Sequence, residues 1–216
     1  MRTSIRVGLR NGIANACLGV SGCVLLAAAG CNGSSSSPPP LTQLLVEEFD
    51  SAGAWALTTN FSVGSPASAS AEIRDGGLFL SASQASTPVA TATARLAVQT
   101  PQPSLAGFQL LIDGLRSSGY LSSGSIRVEL ANISLRIFVN RPLPANSPGE
   151  QLSFRCDGPA SSLTIDGVAQ PSSSYQFTLL AAPTQNGFIE FVAAAASADA
   201  GASCSVRLDR FQLFYR

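Results

Sequence analysis

The sequence of 216 residues predicts an all-β domain over residues 44–216, a sandwich or barrel of antiparallel strands. Three observations lead there. Short apolar runs alternate with turn signals at intervals of about ten residues. Within the runs, apolar and polar residues alternate with period two, so that one face of each strand points inward and the other outward. Helical periodicity is nearly absent.

Taken in chain order, strands are expected at 44–49, 55–63 and then on either side of Asp75-Gly76-Gly77. That tripeptide sits between Ala71-Glu72-Ile73-Arg74 and Leu78-Phe79-Leu80. Asp and Gly tolerate the positive φ of tight turns, so the segment predicts a hairpin. Further strands follow at 90–99 and 106–113. A second hairpin is expected from Ser125 to Asn140, turning at Ala131-Asn132. Before the turn, Ile126, Val128 and Leu130 alternate with Arg127 and Glu129; after it, Ile133, Leu135, Ile137 and Val139 alternate with Ser134 and Arg136. Phe138 breaks the pattern, lying in phase with the polar residues. Arg141–Gly149, with three prolines, reads as a connection. The remaining strands are placed at 151–156, 162–168, 175–181, 187–193 and 203–215, with Ala193–Ala202 a loop or a short helical turn. No internal repeat or second linker is visible, and one domain is the economical reading.

Residues 1–43 read differently. Arg2, Arg6 and Arg10 precede any acid, and Ile13–Ala29 is an uncharged run. A positive start, a short apolar stretch and then small residues is the layout of a secretory signal. As an uncleaved span, this run falls short of the roughly 20 apolar residues that crossing a bilayer requires. It closes on Ala28-Ala29-Gly30-Cys31, which resembles the bacterial lipobox, although Ala28 stands where that pattern favours Leu. The resemblance implies a signal peptide at 1–30 and lipidation of Cys31; the other reading is an ordinary signal with an incidental thiol. Residues 31–43, with Ser34–Ser37 and Pro38–Pro40, form a flexible and then stiff tether. More than one acyl chain gives stable anchoring, whereas one alone holds marginally. Asn32 after the lipidated residue resembles an outer-membrane sorting signal, so the expected location is the cell envelope, on the outer membrane.

The chain has five cysteines. Cys17 and Cys23 would leave with the signal and Cys31 would be acylated. Cys156 and Cys204 then remain in an oxidising compartment, where a disulfide between them is expected. The alternative is two buried free thiols that never meet.

Composition excludes several chemistries. The absence of histidine removes Ser-His-Asp and Cys-His catalysis and His-ligated zinc. Lysine is absent too, which removes Schiff-base chemistry and the P-loop. Thirteen arginines balance thirteen acids, and without a basic stripe no nucleic-acid partner is expected.

The two ends of the domain carry a family resemblance. Glu48-Phe49-Asp50-Ser51-Ala52-Gly53-Ala54-Trp55 is similar to the opening strand of jelly-roll domains. Val206-Arg207-Leu208-Asp209-Arg210-Phe211-Gln212-Leu213 is similar to their closing strand, with Arg210 where a second acid is usual. The phase slip between Leu208 and Phe211 reads as a bulge. The chain thus resembles the galactose-binding-like and concanavalin-like jelly rolls, which include many bacterial carbohydrate-binding modules. The resemblance implies a buried Trp55 and a possible structural calcium held by Glu48 and Asp209; no other cofactor is expected. Glu48-Phe49-Asp50 also fits the first half of a glycosidase strand motif, but Gly53 stands at its third position. For sugar stacking the aromatic candidates are Tyr120, in a polar loop, and Phe138, beside Arg127 and Arg136 on an outward face; Phe138 can equally pack beneath a loop. The expectation is a lipid-anchored, non-catalytic envelope module contacting a glycan or an envelope component. A structural subunit of an envelope complex is the alternative, and a carboxylate-dependent glycan hydrolase is the third reading.

Overall fold

A computed structural model describes residues 39–60, 67–84, 89–120, 123–139, 148–195 and 201–216. The signal, Cys31 and most of the tether lie outside the described residues, as does most of the 141–149 connection. The described chain is built from β1 (Thr42–Glu47), β2 (Ala56–Asn60), β3 (Ser68–Arg74), β4 (Gly77–Ser83), β5 (Ala90–Gln99), β6 (Gly107–Tyr120) and β7 (Ser123–Val139). It continues through β8 (Glu150–Asp157), β9 (Ala160–Ile165), β10 (Val168–Ala169), β11 (Tyr175–Ala195), β12 (Ser203–Leu208) and β13 (Arg210–Tyr215). Among the described residues a single 3-10 turn, Ser172–Ser174, interrupts the strands. All pairings are antiparallel.

The strands form two sheets, as the alternation predicted. The larger runs β10-β9-β8-β6-β12-β4-β3, with β13 continuing the line of β12 beside β6 and carrying β1 on its far edge. The smaller runs β2-β5-β11-β7. Their inner faces meet through aromatic contacts: Phe191 of β11 lies 5.8 Å from Phe211 of β13, and Phe177 of β11 lies 5.6 Å from Phe154 of β8. Trp55 joins the first group, 5.7 Å edge-on to Phe211 and 5.6 Å from Phe49, and is buried as the resemblance implied. Each such ring removed from water contributes on the order of 1.5–3 kcal/mol to cohesion between the layers, alongside the buried Leu, Ile and Val side chains of both inner faces.

The first hairpin forms as predicted. Arg74 pairs with Gly77, and Asp75 and Gly76 take φ of 50° and 65°, the positive values a two-residue turn needs. The second does not form. Ser123–Val139 is one continuous strand, and the slip at Ala131-Asn132 is a bulge, with Ala131 at φ 52°. The partner strand shifts register at the same level, between Leu179 and Phe188. The bulge keeps both apolar sets facing inward, since Leu130, Ala131 and Ile133 are all buried. Asn132 adds a long-range tie by accepting from the Leu105 N–H and donating to its carbonyl. Likewise, the strands expected at 175–181 and 187–193 are one strand, β11.

The slip expected between Leu208 and Phe211 is present and is shared. At Asp209 the strand breaks between β12 and β13, and β6 kinks opposite it, with Gly114 at φ 67°. Ile112 and Leu115 are both buried across that kink, as are Leu208 and Phe211, so the two strands change phase together. Asp209 donates its backbone N–H to the carbonyl of Asp113.

Cys156 and Cys204 do not form the expected disulfide; both are free and buried. Cys156 lies opposite Phe108 on one side of β6, and Cys204 lies opposite Gly119 on the other. Eleven residues of strand separate those levels, roughly 35 Å at about 3.3 Å per residue, far beyond the ~7 Å between Cα atoms that a disulfide spans. Compartment and an even count cannot reveal this; strand order decides it. Burial pushes the Cys156 thiol up to about 11 and raises that of Cys204.

Candidate functional site

Three rows of side chains cross the outer face of the larger sheet, each row set by backbone register. Glu72, Phe79, Arg207 and Arg116 form one row across β3, β4, β12 and β6. Ser70, Ser81, Ser205 and Ser118 form the next. Ser68, Ser83 and Ser203 follow, and Tyr120 ends that row in the backbone pairing. The pattern arises because Leu78, Leu80 and Ala82 of β4, like Val206 and Leu208 of β12, take the inward positions and leave the alternate residues outside. Together with Arg74, the first two rows line a groove of about 340 Å³.

Phe79 is the apolar centre of this groove, and two guanidinium groups lie on it. The Cζ atoms of Arg74 and Arg207 stand 4.8 and 4.5 Å from the ring centroid, within cation–π range. Each is also held at Nε by a carboxylate: Arg74 by Glu72 at 3.4 Å and Arg207 by Asp209 at 3.2 Å. Glu72 accepts a further hydrogen bond from Ser70 Oγ at 2.7 Å. Asp209 also pairs with Arg116 at 3.5 Å, and Arg116 donates through Nη2 to the carbonyl of Pro148 at 2.7 Å. Glycine positions this carboxylate, because a Cβ on Gly114 would come within 2.1 Å of Asp209. Serine hydroxyls pair along the rows, Ser118 with Ser205 at 2.6 Å and Ser68 with Ser83 at 2.8 Å.

The outer face of the smaller sheet carries a second arginine–phenylalanine stack. Arg95 lies 3.7 Å and Arg127 5.8 Å from the ring of Phe188. Glu190, with its side chain 11% exposed, takes Arg127 Nη1 at 3.0 Å and Arg95 Nη1 at 3.8 Å. Arg127 gives its other terminal nitrogen to Glu129 at 3.6 Å.

The structure divides the residues expected to form one ligand face. Arg127 and Arg136 do line one cavity, about 250 Å³, with Glu129, Ser134 and Gln176. Phe138 is not in that lining; its ring sits 5.1 Å from the Arg136 guanidinium and faces a narrow gap beside Leu115 and Ile165. Tyr120 belongs to the other sheet, on strand β6 rather than in a loop. Glu48 and Asp50 are not on a strand either, since β1 ends at Glu47 and Phe49 turns at φ 56°. Glu48 pairs with Arg210 at 3.4 Å, while Asp209 holds Arg116 and Arg207. Arginines therefore stand on both carboxylates to which the resemblance assigned calcium. Among the described residues no group of three or more metal-ligating side chains occurs.

Sequence reasoning missed Phe79, Arg74 and Arg207. The signal is present: Phe79 lies between the buried Leu78 and Leu80, out of phase with the core as Phe138 is in its own strand. What the alternation did not contain was that β12 lies beside β4, bringing Arg207 to the ring.

No family model matches this chain, and no curated protein matches it. Solved structures do match. The CBM2 module of the evolved Dit of Lactobacillus casei BL23 phage J-1 superposes with a TM-score of 0.50 at 10% identity, covering 81% of this chain and 96% of that one. The endo-β-1,3-glucanase of Pyrococcus furiosus gives 0.44 at 8% identity over 81% and 94%. Peanut lectin gives 0.42 at 9% over 75% and 97%. What is shared with the phage module is the fold. This domain is an antiparallel β-sandwich of jelly-roll type.

Proposed function

We propose that this protein is a lipid-anchored, non-catalytic glycan-binding module of the cell envelope. The observation that carries the reading is the groove over β3, β4, β12 and β6, where rows of serine hydroxyls adjoin an aromatic ring flanked by arginines. Sugars present hydroxyls and apolar ring edges at once, and a surface that offers hydrogen-bonding groups beside an apolar platform suits them. The kinship in fold with a carbohydrate-binding module agrees with this reading. Absence of catalysis is supported by the state of the groove's carboxylates, since glycoside hydrolysis needs one carboxyl to donate a proton and a second to act as base or nucleophile. Glu72 and Asp209 are instead tied to arginines. The anchor rests on Ala28-Ala29-Gly30-Cys31 and the tether behind it.

The test is binding of the full chain to a set of purified polysaccharides. Retention on at least one is expected, lost at least tenfold in Phe79→Ala and unchanged in Phe138→Ala; retention on none rejects the module. Sugar release that disappears in Glu48→Gln would reject the non-catalytic part. For the anchor, Cys31→Ser should move the protein from the membrane to the aqueous fraction.

A further inference from the structure

We infer that the groove selects acidic glycans, those bearing uronate carboxylates or sulfate esters, through the terminal nitrogens of Arg74 and Arg207; this rests on the glycan-binding reading above. The two arginines are mounted alike. Each guanidinium lies on Phe79, at 4.8 and 4.5 Å, and each is fastened through Nε alone, to Glu72 and to Asp209. Among the described residues, neither has a partner on Nη1 or Nη2. A guanidinium carries five N–H donors in a fixed plane, so fixing Nε and one face leaves the terminal fork oriented and unsatisfied. That fork matches two oxygens of one carboxylate or sulfate, in the bidentate pairing that makes such contacts strong.

Three features tie this to a ligand rather than to surface chance. The side chains remain open to water, Arg74 at 60% and Arg207 at 37% exposure, so a ligand reaches them. Three arginines, Arg74, Arg116 and Arg207, line the groove with the acid Glu72, and one further carboxylate, Asp209, pairs with two of them. That local excess runs against the whole, because beyond residue 30 the chain holds ten arginines and thirteen acids. Finally, the serine row Ser70-Ser81-Ser205-Ser118 lies two residues along each strand, roughly 7 Å away, which suits the hydroxyls of the same or a neighbouring sugar. A neutral chain would leave both forks without an anion.

The experiment measures binding of the full chain to two acidic polymers and their neutral counterparts: polygalacturonate with its fully methyl-esterified form, and dextran sulfate with dextran. At least tenfold tighter binding to one or both acidic members is expected, weakening as salt is raised. Preference for polygalacturonate identifies a carboxylate ligand, and preference for dextran sulfate a sulfate. Arg74→Gln and Arg207→Gln should each lower that affinity about tenfold, and Arg95→Gln on the opposite face should leave it unchanged. Equal or tighter binding to the neutral members overturns the charge selection and leaves the glycan reading standing. Equal losses in Arg95→Gln and Arg74→Gln overturn it as diffuse attraction to polyanions. Binding to none of the four removes both readings.

Discussion

The two outer faces repeat one motif, a phenylalanine between two arginines, and finish it differently. Around Phe188, Glu190 takes a terminal nitrogen from each arginine and Glu129 takes another from Arg127. Both terminal nitrogens of Arg127 and one of Arg95 are engaged within the protein, and the Glu190 carboxylate is nearly buried. Around Phe79, the carboxylates take only Nε from the two arginines on the ring, Asp209 holding Arg116 as well, and they sit in the open, Glu72 at 51% and Asp209 at 37% exposure. The first arrangement closes a sheet face upon itself; the second holds its cations ready for something else. On the proposed reading, the same side chains serve cohesion on one face and recognition on the other, according to which nitrogen is occupied.

The comparison is broken most forcefully at Glu190. Glu190→Ala leaves two guanidinium groups beside a partly desolvated ring. We expect a loss of about 2 kcal/mol, below the 3–5 typical of fully buried pairs because both arginines stay half in water; chemical denaturation measures it, and a loss under 0.5 would refute the structural role. Gly114→Ala ranks next. It forces an L side chain into φ 67° and against Asp209, for an expected cost of about 1–3 kcal/mol. It should weaken ligand binding as well, whereas Glu190→Ala should not.

A smaller effect concerns the core beneath both faces. The folded-state value of Cys156 is raised from 9.0 to about 11, so its contribution is complete below pH 9 and is lost as pH climbs from 9 through 11. The melting temperature should fall by a few degrees over that window, and less in Cys156→Ala relative to its own value at pH 8. Alkylation should label neither thiol of the domain in the native state and both after unfolding without reductant. The smallest effect is Glu72→Gln, an exposed pair whose removal should change stability by under about 0.5 kcal/mol while loosening Arg74 and weakening binding severalfold, as titration would show.

The sandwich could be read from the alternation, and the first hairpin from Asp75-Gly76, because both are local consequences of backbone geometry. The supposed hairpin at Ala131-Asn132 shows the limit. A bulge and a two-residue turn leave the same mark in a sequence, a phase slip flanked by alternating residues, and only the partner strand tells them apart. The site was less legible for the same reason. Phe79 announced itself by its phase, but Arg207 is 128 positions away and reaches the ring only because β12 pairs with β4. The cysteine pairing failed likewise, since it depended on which end of β6 each strand meets.

Cys156 and Cys204 flank opposite ends of β6, so a thiol oxidant has no bridge to make between them in the folded domain. Among the described residues, packing of the two inner faces, rather than a covalent cross-link, holds the layers together.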